Sequence, residues 1–365
     1  MEGDSRGNGK KINRPKLPDE LVFDILSRLP VQSILRYKCV CKSWLSMISD
    51  PQFIKTHFLR STQSPDFPRL LLATNGSFLS FDFESPDHEF KSLQRPRNYS
   101  DSCLRPVCSC DGLILLWAHD RLSFGTSCKS FVLWNPSIAW YKRIKCPYEL
   151  PFRGIYGHSY DSTADDYRVL VASQQGNEIS VVIYSFRNDS WNIFNDNRYG
   201  ILSLENQVVV NGVVHFVIYE RELRELRSCA IVYFDFVEGQ FKEVPLPSFW
   251  SKDDNMNLVA LGGFLCVYCD IGVELLKIFA MKEYGKKESW TRLFVMPWAI
   301  EQWVPFPTYV KPLFLTRKGQ VVISVGHTGI GLYDPKARTF LWCDRDCGEM
   351  AIPYVETLLS LNGGV

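Results

Sequence analysis

The chain has 365 residues, 46% of them hydrophobic and 22% charged, with a formal net charge of +1 at pH 7. That length leaves room for a small module beside a large one. The near-zero charge supplies no field for steering toward nucleic acid or anionic lipid, so neither is expected as a partner, and no apolar run approaches the roughly 20 residues that span a bilayer.

Residues 1–15, MEGDSRGNGKKINRP, read as a polar, basic tail without the apolar stretch of a secretory signal, and an intracellular location in cytoplasm, nucleus or both is the expectation. The stretch KKINRPK could act as a nuclear address, although a solvated tail is the simpler reading. Twelve cysteines are scattered along the chain, and in a reducing compartment they read as core filler rather than as disulfides. For the same reason the sequons at Asn75, Asn98 and Asn188 are chance matches.

The first predicted element is LPDELVFDILSRLP, residues 17–30. Pro18 suits a first helical turn, Asp19 and Glu20 place negative charge at the positive end of the helix dipole, and Pro30 stops the helix. Leu21, Ile25 and Leu29 fall on one stripe and Val22 and Leu26 on a second beside it. One neighbour cannot cover both. The following segments add Ile34, Leu35, Val40, Trp44, Leu45, Ile48, Phe53, Ile54 and Phe58 at mostly helical spacing, with Asp50 and Pro51 resetting the chain between them. Three or four short helices result. A unit of about 40 residues is marginal alone, and this one has apolar surface left over, so it is expected to dock on a partner.

These residues, LPDELVFDILSRLPVQSILRYKCVCKSWLSMISDPQF, closely resemble the F-box, with its Leu17 and Pro18 start, the ILSRLP block, Leu35 and the CVCKSW run ending at Trp44. The resemblance implies a helical module over residues 16–60 that docks on a Skp-type adaptor and so joins a cullin-based ubiquitin ligase. Leu17, Pro18, Ile25, Leu26, Leu29, Pro30 and Leu35 match positions that the family uses in that contact. Any single aliphatic here, Leu21 or Val22 among them, also fits the module's own core.

From Leu70 the pattern changes to short β-rich runs with Gly, Asn, Asp and Pro punctuation, such as FVLWNPSIAWYKRI, SVVIYSFRNDSWNIF, AIVYFDFVEGQFKEV and GIGLYDPKARTFLW. In each, a turn is followed by an aromatic opening the next strand: Phe90, Trp140, Trp191, Phe241, Trp290 and Phe340, spaced 50, 51, 50, 49 and 50 apart. A period near 50 made of four short strands is a kelch-like propeller blade. The first unit is one strand short, and the strand-like YVETLLSL after the sixth unit is expected to complete it. The predicted fold is a small all-α module followed by an all-β propeller, residues 68–361, of six four-stranded blades closed by the C-terminal strand. WNPS, YDSTADDYRV, SWNIF, FDFVEGQFKEVPLP, LGGFLCVYC and MKEYGKKESWTRLF also resemble, in order, the recurrent blocks of the F-box-associated domain of plant F-box proteins. Members of that family include pollen self-incompatibility determinants and regulators of immune receptors, so the scaffold does not fix the target.

Catalytic and metal-binding signatures are weak. Cys266 and Cys269 form a CxxC, but in a strand residues three apart point to opposite faces. Cys103, Cys108, Cys110, Cys343 and Cys347 have no histidine at ligand spacing, and His158, Ser159 and Asp161 in GHSYDS read as turn and strand residues. No cofactor or metal is expected. The leading reading is a non-catalytic substrate receptor that binds an unidentified protein target; the alternative is a metal-dependent kelch-type propeller enzyme, which would need clustered histidines and tyrosines on the ring axis. The target patch is expected where strand-two-to-three connections and inter-blade connections share a rim: Arg221, Arg224 and Arg227 in ERELRELRSC, Trp250 in SFWSKDDN, and Trp298, Trp303 and Phe306 in PWAIEQWVPFP. Aromatics with arginines are hot-spot composition, whereas each tryptophan taken singly also fits as a cap on a blade junction.

Overall fold

A computed structural model describes residues 17–63, 68–74, 77–85, 89–97, 102–120, 127–151, 154–175, 178–196, 207–222, 225–250, 256–271, 275–297, 310–326, 329–344 and 350–361. The chain divides into two compact units, Met1–Pro65 and Asp66–Val365.

In the first unit four helices follow one another: α1 (Asp19–Leu26), α2 (Val31–Tyr37), α3 (Lys42–Ser49) and α4 (Pro51–Gln63). Pro18 and Pro30 precede α1 and α2, and Asp50 starts α4 by accepting the Gln52 N–H through Oδ1 at 2.8 Å. Leu26, Ile34, Ile48 and Phe53 close a small core, with the Phe23 ring edge-on to Phe53 at 5.1 Å. Buried His57 donates from Nε2 to the Leu29 carbonyl at 2.9 Å, tying α4 to the connection between α1 and α2. Arg60 braces the same junction: it donates to Asp24 Oδ1 at 2.8 Å, to the Asp24 carbonyl at 3.1 Å and to Ser27 Oγ. Hydrogen bonds from Arg28 and then Arg60 hold the Asp24 carboxyl below its ordinary pKa.

The second unit is built of four-stranded antiparallel sheets in chain order. Blade one has β1 (Arg69–Thr74), β2 (Ser77–Phe81) and β3 (Lys91–Leu93); blade two has β4 (Ser102–Cys110), β5 (Leu113–Asp120), β6 (Ser127–Asn135) and β7 (Trp140–Pro151). Blade three has β8 (Ile155–Asp161), β9 (Asp166–Gln175), β10 (Glu178–Ser185) and β11 (Ser190–Asp196); blade four has β12 (Val208–Val210), β13 (Val213–Glu222), β14 (Glu225–Asp235) and β15 (Gln240–Val244). Blade five has β16 (Met256–Leu261), β17 (Phe264–Ile271), β18 (Leu275–Met281) and β19 (Trp290–Pro297); blade six has β20 (Val310–Leu315), β21 (Val321–Val325), β22 (Gly329–Asp334) and β23 (Thr339–Asp344). The last strand, β24 (Met350–Tyr354), pairs antiparallel with β1 and completes blade one from Arg69 opposite Tyr354 to Ala73 opposite Met350. First strands of neighbouring sheets, such as β24 and β4 or β16 and β20, lie against one another and line the axis.

The core is distributed around this ring. One apolar cluster sits at each boundary: Leu71, Trp134 and Ile352 join blades one and two, Leu133 and Tyr156 two and three, and Ile183 and Phe216 three and four. Val217 and Val267 join blades four and five, Ile278 and Ile323 five and six, and Phe314 and Leu70 six and one. Each strand that packs on both sides reads as a near-continuous apolar run, as in LILLWA of β5. The turn residues fit their places: Asp111–Gly112 and Asn211–Gly212 both have positive φ at two successive residues, the requirement of a two-residue hairpin.

Trp140 opens β7 as expected, and Tyr141 beside it lies opposite Trp134, as Trp191 lies opposite Tyr184, Phe241 opposite Phe234 and Phe340 opposite Tyr333. Two expectations are corrected. The strand completing blade one is MAIPY, not YVETLLSL. Residues 355–361 instead leave the sheet and cross to blade two, where Asn135 donates from Nδ2 to the carbonyls of Thr357 at 3.0 Å and Leu359 at 2.9 Å. Thr357 Oγ1 donates onward to the Asp111 carbonyl at 3.2 Å, and Leu359 and Leu361 pack on the boundary of blades two and three. Finally, ERELRELRSC is not a long loop: β13 runs through Arg221 to Glu222 and β14 starts at Glu225, so Arg221 and Arg227 belong to paired strands.

Candidate functional site

The first helix resolves its two apolar stripes into an inside and an outside. Val22 and Leu26 are buried, whereas Leu17, Leu21 and Ile25, four residues apart, are 49%, 51% and 52% exposed. Val40 beyond α2 and Leu45 on α3 are also exposed, and Tyr37 stands edge-on to half-buried Trp44 at 5.7 Å. Isolated exposed aliphatics need no explanation, but a full helical stripe of them in so small a unit does.

Of the residues expected at this face, Leu17, Pro18, Ile25 and Pro30 are exposed, and Leu29 and Leu35 are half-buried. Leu26 is corrected: at 2% exposure it belongs to the module's core and offers nothing to a partner. Leu21, Val40 and Leu45 were not singled out for docking. Four-residue spacing from Leu17 could have marked Leu21, but nothing in the sequence distinguished its stripe from the one that folded inward.

On the propeller, Trp250 is half-buried against the boundary of blades four and five, following a turn closed by its N–H to the Pro247 carbonyl at 3.2 Å. It caps that junction. Its neighbour Phe249 is the exposed aromatic here, 4.2 Å from the Phe279 ring between centroids. Arg221 and Arg227 are placed by backbone only, and Arg224, Trp298, Trp303 and Phe306 lie outside the described residues.

The candidate catalytic groups are buried. Cys108 donates its thiol to His158 Nδ1 at 3.3 Å, but burial pushes that thiol up to about 12 and the His158 imidazole down to about 4. Asp161 accepts the Thr163 and Ala164 N–H groups and pairs with Arg168, so it serves a turn. Cys266 and Cys269 are both buried in the uninterrupted strand β17. Among the described residues no group of three His, Cys, Asp or Glu side chains could hold a metal ion.

Two buried imidazoles give the propeller a pH dependence. His215 donates from Nδ1 to the Val213 carbonyl at 3.0 Å and accepts from Tyr284 Oη at 2.6 Å, and burial lowers it, like His158, to about 4. The unfolded chain therefore binds more protons than the folded one between about pH 6.5 and 4. The stability from burying these rings neutral is present above about pH 6.5 and is lost as pH falls toward 4, on the order of 3 kcal/mol for each ring. Urea midpoints should fall steadily across that window, and a His215→Gln chain should lose part of the slope. An unchanged slope would mean that the imidazole does not stay neutral.

Two family models match the chain: the F-box associated β-propeller domain over residues 70–338 and an F-box-like module over residues 15–60. It is similar to the Arabidopsis thaliana F-box/kelch-repeat protein At3g23880, 27% identical with 95% of this chain and 96% of that one covered. It is likewise similar to the F-box protein At3g07870, 26% identical over 89% and 86%, and to the F-box protein CPR1, 26% identical over 88% and 83%, both from the same plant.

Proposed function

The chain belongs to the F-box associated β-propeller family of plant F-box proteins, and from that membership we propose that it is the substrate-recognition subunit of a Skp-cullin-F-box ubiquitin ligase, acting in the cytoplasm, the nucleus or both. The observation that carries the proposal is the exposed stripe Leu17, Leu21 and Ile25, set back to back with the buried pair Val22 and Leu26. The adaptor covers that stripe, with Pro18, Leu29, Pro30 and Leu35 at its margins, and thereby supplies the burial that the module's own four helices do not. Hydrogen bonds from Arg60 to Asp24 hold α1 on α4, so the stripe is presented without further ordering.

The propeller binds the protein target and performs no chemistry of its own. Its contribution to ubiquitin transfer is to hold a target lysine near the charged ubiquitin-carrying subunit, an effective-concentration effect. The target patch lies on the rim carrying Phe249, Trp250 and the β13–β14 connection, and Trp298, Trp303, Phe306 and Arg224 are assigned to it from their place in the sequence alone.

The test is co-purification of the tagged full chain from plant cells with the proteasome blocked, followed by reconstitution with cullin and ubiquitin-charging enzymes. A Skp-type adaptor and cullin should be recovered in near-stoichiometric amount, and a co-purified protein should become ubiquitinated only when the chain is present. Recovery of a target without any adaptor would sink the ligase reading.

A further inference from the structure

A strand-to-strand alternation puts the connections between first and second strands, and between third and fourth, on the rim opposite to the one just assigned to the target. On blades five and six these connections are unusually basic. Residues 282–289 (KEYGKKES), 316–320 (TRKGQ) and 334–338 (DPKAR) hold seven Lys and Arg against three carboxylates, a net of +4 in a chain whose total is +1. The matching turns of blades two to four carry Asp111, Asp165, Asp189 and Glu238 against Arg187. Charge is therefore divided across one face of a nearly neutral protein, and the acidic β2–β3 connection of blade one bounds the basic part, its Glu84 carboxylate accepting the Arg317 N–H at 2.7 Å.

These turns are also fixed in shape, which an ordinary solvated run of lysines is not. Lys282 N–H bonds the Ser289 carbonyl at 3.2 Å, Ser289 Oγ donates to the carbonyls of Glu283 and Lys286 at 2.8 and 2.7 Å, and Gly285 N–H meets Met281 Sδ at 3.0 Å. From below, Tyr284 Oη donates to the buried His215 of blade four. The Lys282 ammonium rests 4.1 Å from the Phe264 ring centroid. On blade six Thr316 N–H bonds the Gln320 carbonyl at 2.8 Å, Lys336 and Ala337 N–H groups bond Asp334 Oδ1, and Gln320 Nε2 reaches Asp334 Oδ2 at 3.5 Å, joining the two turns. Lys282, Lys287, Lys318, Lys336 and Arg338 stand exposed on this pinned backbone.

We propose that this face of blades five and six is a second docking surface, which takes an acidic segment of a partner protein by its side-chain carboxylates. A rigid array of cations spends less ordering entropy on binding than mobile side chains on a mobile loop. A nucleic acid is disfavoured, since three carboxylates interrupt the array and the one exposed aromatic, Tyr284, has its hydroxyl engaged below. A membrane is disfavoured too, because these turns expose no Leu, Ile, Phe or Trp to insert. The surface shares no residue with the adaptor stripe or with the target patch, so it stands or falls apart from the ligase reading.

The experiment is fluorescence anisotropy of the full chain with a short labelled Asp/Glu peptide and its Asn/Gln counterpart, without adaptor or cullin present. The acidic peptide should bind and the amide peptide should not, with affinity falling about tenfold between low and moderate salt. A K282E/K318E/K336E/R338E chain should bind at least about tenfold more weakly than the parent, and the K336E/R338E pair, on one exposed turn, should show part of that loss with an unaltered melting transition. Equal binding of both peptides, or full retention by the folded variants, would overturn the proposal. Tighter capture of a labelled oligonucleotide or of phosphatidylserine vesicles through the same residues would overturn the assignment to an acidic peptide.

Discussion

A chain ending at Glu349 is expected to lose the propeller as a cooperative unit. Removing β24 strips the ladder from one edge of β1 and takes Ile352 and Tyr354 out of the boundary between blades one and two. It also removes the bond between Tyr354 Oη and Ser80 Oγ at 2.7 Å and the pairing of Arg69 with Glu356. Burial of two such side chains alone is worth about 3–6 kcal/mol, a large share of the roughly 5–15 kcal/mol by which a domain is stable, and the exposed edge of β1 then templates aggregation. A chain ending at Tyr354 keeps β24 but lacks the segment that crosses to blade two. It leaves buried Asn135 Nδ2 without the Thr357 and Leu359 carbonyls and removes buried Leu358, so it should fold with a lower urea midpoint, by about 3 kcal/mol. Asn135→Ala in the full chain should reproduce about 2 kcal/mol of that loss. If the chain ending at Glu349 stayed soluble and melted with the parent, β24 would not be needed to close the ring.

The second large effect concerns α1. Leu21→Asp with Ile25→Asp should abolish adaptor binding, weakening it by at least about a hundredfold, because charges placed on a desolvated apolar contact lose its burial and remain unpaired. Both side chains are half exposed in the free chain, so thermal unfolding should be almost unchanged. Leu26→Ala, one residue farther along the same helix, should do the reverse: lose about 2–4 kcal/mol from the module's own stability and affect docking only through that loss. Retained adaptor binding by the folded Asp pair would show that this stripe is not the docking surface.

The contrast between Ile25 and Leu26 shows where legibility ended. Helical spacing, flanking prolines and an apolar excess were sufficient to read α1 as a helix with more apolar surface than one neighbour covers. Likewise the 50-residue cadence from Phe90 to Phe340 was enough for six blades, because every blade repeats the same local requirement: a turn followed by an aromatic that packs on the sheet. These are short-range demands, met within a few residues of one another. The choice of stripe was different. Val22 and Leu21 have equal claims in sequence, and only the positions of Ile34, Ile48 and Phe53, brought in by the later helices, made one of them core. The same holds at the other end of the chain, where YVETLLSL reads as the closing strand and MAIPY just before it takes that place. MAIPY is the strand because β1, more than 270 residues earlier, offers it an unpaired edge, while the next residues meet Asn135 instead. Local propensity and period are written into the chain residue by residue; which of two equally apolar surfaces is buried depends on partners distant in sequence, and only folding brings these together.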